Sequence, residues 1–169
     1  MMRTQDRIGA LLLECLTDVA MLLNRARTVA IDQRNALVAS DPEGIVKTCK
    51  AEEDLLRRIA ECDRRAADAA TELAECAGLA PEEVNVSSIV EAAGPELGPS
   101  IRAELIRIAN LAKEVRELNE INHKLLSNGL EVIACCLRTL GTESGQSAYS
   151  KDGGLVEGEP CIISLDRKA

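Results

Sequence analysis

Between Pro99 and Leu140 the core-type positions recur every three and four residues: Ile101, Leu105, Ile108, Ala112, Val115, Asn119, Asn122, Leu126, Gly129, Ile133, Cys136 and Leu140. This spacing gathers the side chains on one stripe of a helix, as in the seam of a coiled coil. A second row, Leu111, Leu118, Leu125 and Val132, makes the stripe wider than a two-helix seam needs, so the pattern predicts a helix packed between two others. Such a helix would be roughly 60 Å long and cannot bury its stripe against itself. Two amides, Asn119 and Asn122, interrupt the stripe. Buried Asn in a seam fixes register at some cost in stability. Alternatively, the pair forms a polar notch in a groove that receives another chain.

The same spacing appears near the N-terminus in Ile8, Leu12, Cys15, Val19, Leu22, Ala26 and Val29, with Leu16, Leu23, Ala30 and Leu37 beside it. It predicts a helix from Gln5 to Val38. Ala39-Ser40-Asp41-Pro42 follows as a turn, with Asp41 placed to cap the next helix and Pro42 suited to its first position. So short a turn forces an antiparallel hairpin. The second helix is predicted from Pro42 to Ala77, with Gly78 as its stop. Its apolar row is Leu55, Ile59, Cys62, Ala66, Ala69, Leu73 and Cys76. Its outer face offers the i,i+4 pairs Glu53 with Arg57, Asp54 with Arg58 and Glu61 with Arg65. The distal half is crowded with alanine, which permits close helix approach.

Leu79 to Gly98 reads as a connector broken by Pro81, Gly94, Pro95 and Gly98. Ser88 with Glu91 resembles a capping box for a short helix through Ala93. For the last helix to lie alongside the first two, the connector is expected to span the length of the bundle. Gly141 is the expected end of the long helix. Residues 142–169 are rich in Gly and Ser, lack helical period, and hold one short apolar run around Ile162 and Ile163 with Leu165 after it. They read as a mobile tail. The expected fold is therefore all-α: an antiparallel bundle of three long helices with a short connector helix, as one domain over 1–141, and a flexible C-terminal tail over 142–169.

Composition supports helix. The chain has one Tyr and neither Phe nor Trp, which is poor material for a β-sandwich or barrel, while Ala, Leu, Glu and Arg favour helix. Net charge is −8, with no basic patch and no aromatic row for base stacking. Nucleic acid and anionic membrane are poor partners for such a surface. No apolar run approaches membrane-spanning length, and the start Met1-Met2-Arg3-Thr4 lacks the apolar core of a signal peptide, so a cytoplasmic location is expected. The seven cysteines include no Cys-x-x-Cys spacing and read as free thiols serving as small apolar fillers.

Catalytic chemistry finds no foothold. His123 is the single histidine, and it falls just off the stripe without triad partners. Cys135-Cys136 lacks zinc-ligand spacing, and there is no phosphate-cradling loop or dinucleotide fingerprint. The reading is a protein that is not an enzyme and needs no metal or cofactor.

Leu118-Asn119-Glu120-Ile121-Asn122-His123-Lys124-Leu125-Leu126 is similar to the Leu-Asn-x-x-Asn-x-x-Leu-Leu segment of FlgN-type flagellar export chaperones. Ala36-Leu37, the Asp41 turn, Lys50, Leu55-Leu56, Tyr149 followed by Gly153, and the closing Asp166-Arg167-Lys168-Ala169 stand in the order that family shows. The resemblance implies a cytoplasmic chaperone that binds the hook–filament junction (hook-associated) proteins FlgK and FlgL. It would prevent their premature assembly and deliver them to the flagellar type III export apparatus. It also implies that the C-terminal part engages an amphipathic helical end of the substrate. Carried onto this chain, the contact falls on Leu118, Asn119, Asn122, Leu125, Leu126, Leu130, Ile133, Leu137 and Leu140, and on Tyr149, Ile162, Ile163 and Leu165 of the tail. The chaperone is expected as monomer or homodimer. The alternative is a structural coiled-coil scaffold whose stripe serves only self-assembly. A soluble helical signalling adaptor is a weaker third reading.

Overall fold

The computed structural model describes residues 4–143, with side chains along the last helix described through Thr139. All regular structure among the described residues is helical: α1 (Thr4–Val38), α2 (Pro42–Ala77), a 3-10 turn (Pro81–Glu83), α3 (Val86–Ala92) and α4 (Gly94–Glu143). The chain's two compact units meet inside α4, between His123 and Lys124.

The hairpin forms as its turn residues dictate. Asp41 accepts the Gly44 N–H at 3.0 Å, and Pro42 occupies the first turn, where its missing N–H has no helical partner to lose. The cap is tight: a Cβ on Gly44 would run into the Asp41 carboxylate and lie 3.1 Å from the Ala36 Cβ. At the other end of α2, Gly78 adopts φ 71°, and the Gly78 and Leu79 N–H groups close on the Glu75 and Ala74 carbonyls at 3.0 and 3.1 Å. The outer face of α2 does not form the expected i,i+4 ladder. Its one described ion pair joins Arg57 to Asp54, three residues back. On so exposed a face no single spacing gains more than a few tenths of a kcal/mol, so the nearer carboxylate suffices.

The main core joins all four helices. Ile8, Leu12, Cys15 and Leu16 of α1 meet Ala66, Ala69, Leu73 and Ala74 of α2, Ile89 and Val90 of α3, Ala93, and Ile101 of α4. The alanines of α2 supply little side-chain volume, so the helices close on near-backbone contacts around a few large residues. Leu73 and Ile101 are fully enclosed. A second cluster, Leu22, Ala26 and Leu55 with Val29, Ile59, Cys62 and Val115, lies further along the hairpin. Ile101 thus shares a cluster with Ile8 to Leu16 of α1, Val115 with Leu22 and Ala26, and Asn122 bonds the Ala30 carbonyl. Within this unit α4 runs parallel to α1 and antiparallel to α2.

That direction corrects one expectation. The connector does not travel the length of the hairpin, because α4 starts at the end where α2 finishes. Gln5 Nε2, in the first turn of α1, donates to the Ala92 carbonyl at 3.0 Å and ties the connector to that end. The cap of α3 also differs. Asn85, not Ser88, is the N-cap: its Oδ1 accepts from the Ser87 and Ser88 N–H groups at 2.9 and 3.1 Å, and Ser88 Oγ accepts the Asn85 N–H at 2.9 Å. An Asn carboxamide reaches two backbone donors, so it wins the capping position from a serine three residues on.

The long helix exceeds its predicted limits at both ends. Gly94 takes φ 79° and Pro95 follows it, so the chain ends α3 and starts α4 in one step, five residues before Pro99. Pro99 lies inside the helix but close to its start, where it removes a single helical hydrogen bond. Gly98 lets α4 cross α3 closely, since a Cβ there would sit 2.5 Å from the Val90 carbonyl oxygen. At the far end α4 passes through Gly141 to Glu143. Glycine costs about 1 kcal/mol in a helix interior but does not by itself end one. The expected tail from 144 onward lies outside the described residues. Among the described residues, no helix is long and apolar enough to cross a membrane.

Candidate partner-binding surface

The expected contact residues divide at His123. Before it, Leu118 and Asn119 are half-buried and Asn122 is only 4% exposed. Asn122 Nδ2 donates to the Ala30 carbonyl at 2.8 Å and to Gln33 Oε1 at 2.9 Å. Asn119 Nδ2 donates to Glu52 Oε1 at 2.9 Å. Gln33 Nε2 in turn approaches Glu52 Oε2 at 3.4 Å and Cys49 Sγ at 3.5 Å. The result is a polar clasp joining α1, α2 and α4 at one level. Both Asn amides are committed within the chain, the geometry that fixes register. Their Oδ1 atoms are buried without a partner.

Gln33 and Glu52 were missed by sequence reasoning, yet a signal exists. Continuing the α1 repeat past Val29 by four residues lands on Gln33, and stepping three residues back from Leu55 along α2 lands on Glu52. Each helix thus has its stripe interrupted by a polar residue, and the structure brings the interruptions together.

After His123 the stripe is apolar and exposed. Leu126 is 46% exposed, Leu130 58%, Ile133 57% and Leu137 56%, with Leu125 and Val132 exposed beside them. The charged residues of this stretch, Lys124, Glu131 and Arg138, are spaced by seven and so share one stripe on the opposite side of the helix. The Leu140 side chain, Tyr149, Ile162, Ile163 and Leu165 lie outside the described residues.

Among the described residues, no group of three His, Cys, Asp or Glu side chains could hold a metal ion. His123 is exposed. Cys15, at the centre of the main core, has its thiol pushed up by burial, with the Arg65 charge opposing more weakly. It stays protonated as core filler. The six described cysteines are free, and Cys161 lies outside the described residues.

The described residues thus form a packed helical unit up to His123 and an apolar, exposed helix face after it. The model of the FlgN protein family matches residues 9–157, and the chain belongs to that family. The family's general role is that of a flagellar export chaperone. No curated protein and no solved structure matches the chain.

Proposed function

We propose that this protein is a cytoplasmic, non-enzymatic export chaperone that binds the hook–filament junction proteins FlgK and FlgL and hands them to the flagellar type III export apparatus. The observation that carries the reading is the exposed face Leu126, Leu130, Ile133 and Leu137 on a helix of a FlgN family member. Proteins that polymerise through helical ends need those ends covered before export, and an apolar helix face is a chemical match for an amphipathic helix. The clasp of Asn119 and Asn122 holds α1, α2 and the first part of α4 in register within the unit that ends at His123.

Size-exclusion chromatography with light scattering tests the reading. Mixed with purified FlgK or FlgL, the full chain should form a one-to-one complex. Formation of homo-oligomers alone, with no complex, would favour the coiled-coil scaffold instead.

A further inference from the structure

Four large aliphatic side chains share one side of α4 after Lys124. Leu126, Leu130, Ile133 and Leu137 are spaced by four, three and four residues, and each is about half exposed. This face carries no charge, since Lys124, Glu131 and Arg138 lie away from it. From Leu126 to Leu137 it runs about 16 Å along the helix axis.

The most apolar run of the chain beyond Glu143 is Cys161-Ile162-Ile163-Ser164-Leu165, which is also uncharged and lies outside the described residues. Five residues reach about 16 Å at full extension, the length of the face. Residues 144–160 separate this run from the end of α4 and are rich in Gly and Ser. A spacer of that length and composition has a root-mean-square span of about 23 Å. Leu130 lies thirteen residues before Glu143, about 20 Å back along the helix. A spacer whose span matches the distance holds its two ends at about millimolar effective concentration. A contact of a few aliphatic side chains, too weak to join separate molecules at micromolar concentration, therefore forms within one chain for part of the time. The tether thus favours the chain's own segment over a second copy as the occupant.

We propose that residues 161–165 dock on the Leu126, Leu130, Ile133 and Leu137 face of their own chain as a displaceable strap. Burial of apolar surface drives the contact, with no charge on either side to oppose it. The strap shields a surface that would otherwise promote self-association. Its part-time occupancy leaves the face open to an incoming amphipathic helix, which displaces it. That displacement rests on the chaperone reading above.

The test uses the full chain at low micromolar concentration. One variant carries a photo-crosslinking residue at Leu130, another at Asn128, which is exposed and nearly opposite the face. From Leu130, crosslinks within the chain should concentrate on 161–165, at ten times or more the yield from Asn128. Changing Ile162 and Ile163 to Ser should remove them without moving the thermal melt. Saturation with a purified hook–filament junction protein should suppress them as well. Equal yields from the two positions, crosslinks spread over 144–160, or crosslinks to a second copy would each overturn the proposal. So would crosslinks to 161–165 that persist undiminished in the complex. If the native chain forms no complex, the chaperone reading fails and the displacement with it, while the crosslinks in the free chain still decide the docking of the strap.

Discussion

Replacing Asn122 with Asp changes one buried atom from a donor to an acceptor with almost no change of shape. In the native chain Nδ2 faces two acceptors, the Ala30 carbonyl at 2.8 Å and Gln33 Oε1 at 2.9 Å. A backbone carbonyl only accepts, so the orientation of the amide is fixed by chemistry. The new carboxylate would point an anionic oxygen at both, with the Glu52 carboxylate bonded to the neighbouring Asn119. Turning the Gln33 amide to offer Nε2 would withdraw that group from Glu52 and Cys49. An uncompensated buried charge costs about 3–5 kcal/mol, and the half-buried neighbours place this one at about 3. For a chain of this size that lowers the melting temperature by about 10 °C. Burial and facing acceptors raise the folded-state pKa of the carboxyl above the unfolded value of about 3.9. The folded state then binds the extra proton, so stability falls as pH rises through that window. The deficit is full above the folded pKa and shrinks as pH falls towards the unfolded one. N122L removes both the bonds and the orphaned Oδ1, and should stay within about 1 kcal/mol of the native chain. Urea unfolding followed by far-UV circular dichroism at neutral and mildly acidic pH measures all three proteins. An N122D midpoint equal to the native one at neutral pH would refute the clasp.

Other consequences follow from single contacts. G98A drives a methyl into the Val90 carbonyl, 2.5 Å from the ideal Cβ, and should cost about 1–3 kcal/mol in a thermal melt. D41A removes the acceptor of the Gly44 N–H and should cost about 1 kcal/mol by the same measurement. Thiol titration of the denatured, unreduced protein should count seven free cysteines, and in the native protein Cys15 should be the slowest to react, since burial keeps its thiol protonated and inaccessible. Changing Leu130 and Leu137 to Ser should weaken substrate binding by about 2–4 kcal/mol in calorimetric titration while leaving the melt unchanged, because both side chains are exposed in the free chain.

The hairpin was legible because its signals are local. Asp41-Pro42 and Gly78 set the ends of α2 through backbone geometry that depends on a few neighbouring residues, and α2 spans Pro42–Ala77 as the sequence predicts. Capping at α3 was misread because two nearby side chains compete, and Asn85 reaches more donors than Ser88. The direction of α4 follows from the connector staying at the end where α2 finishes, held there by Gln5 on the Ala92 carbonyl, a contact between distant residues that no local motif carries. The leucines after His123 were visible as excess width on an otherwise regular stripe. Which polar interruption meets which was not visible: Asn119 and Asn122 stood out within their stripe, but Gln33 and Glu52 are plausible surface residues until three helices bring all four to one level.

Amide hydrogen exchange on the full chain, alone and bound to FlgK or FlgL, addresses the binding surface most directly. The free chain should exchange fast over 124–143 and slowly in the core segments around Cys15, Leu73 and Ile101, because opening free energies follow burial. On binding, new protection should concentrate in 124–143 and leave the hairpin pattern unchanged. Protection appearing instead on the outer faces of α1 and α2, with 124–143 still exchanging as in the free chain, would contradict the placement of the site.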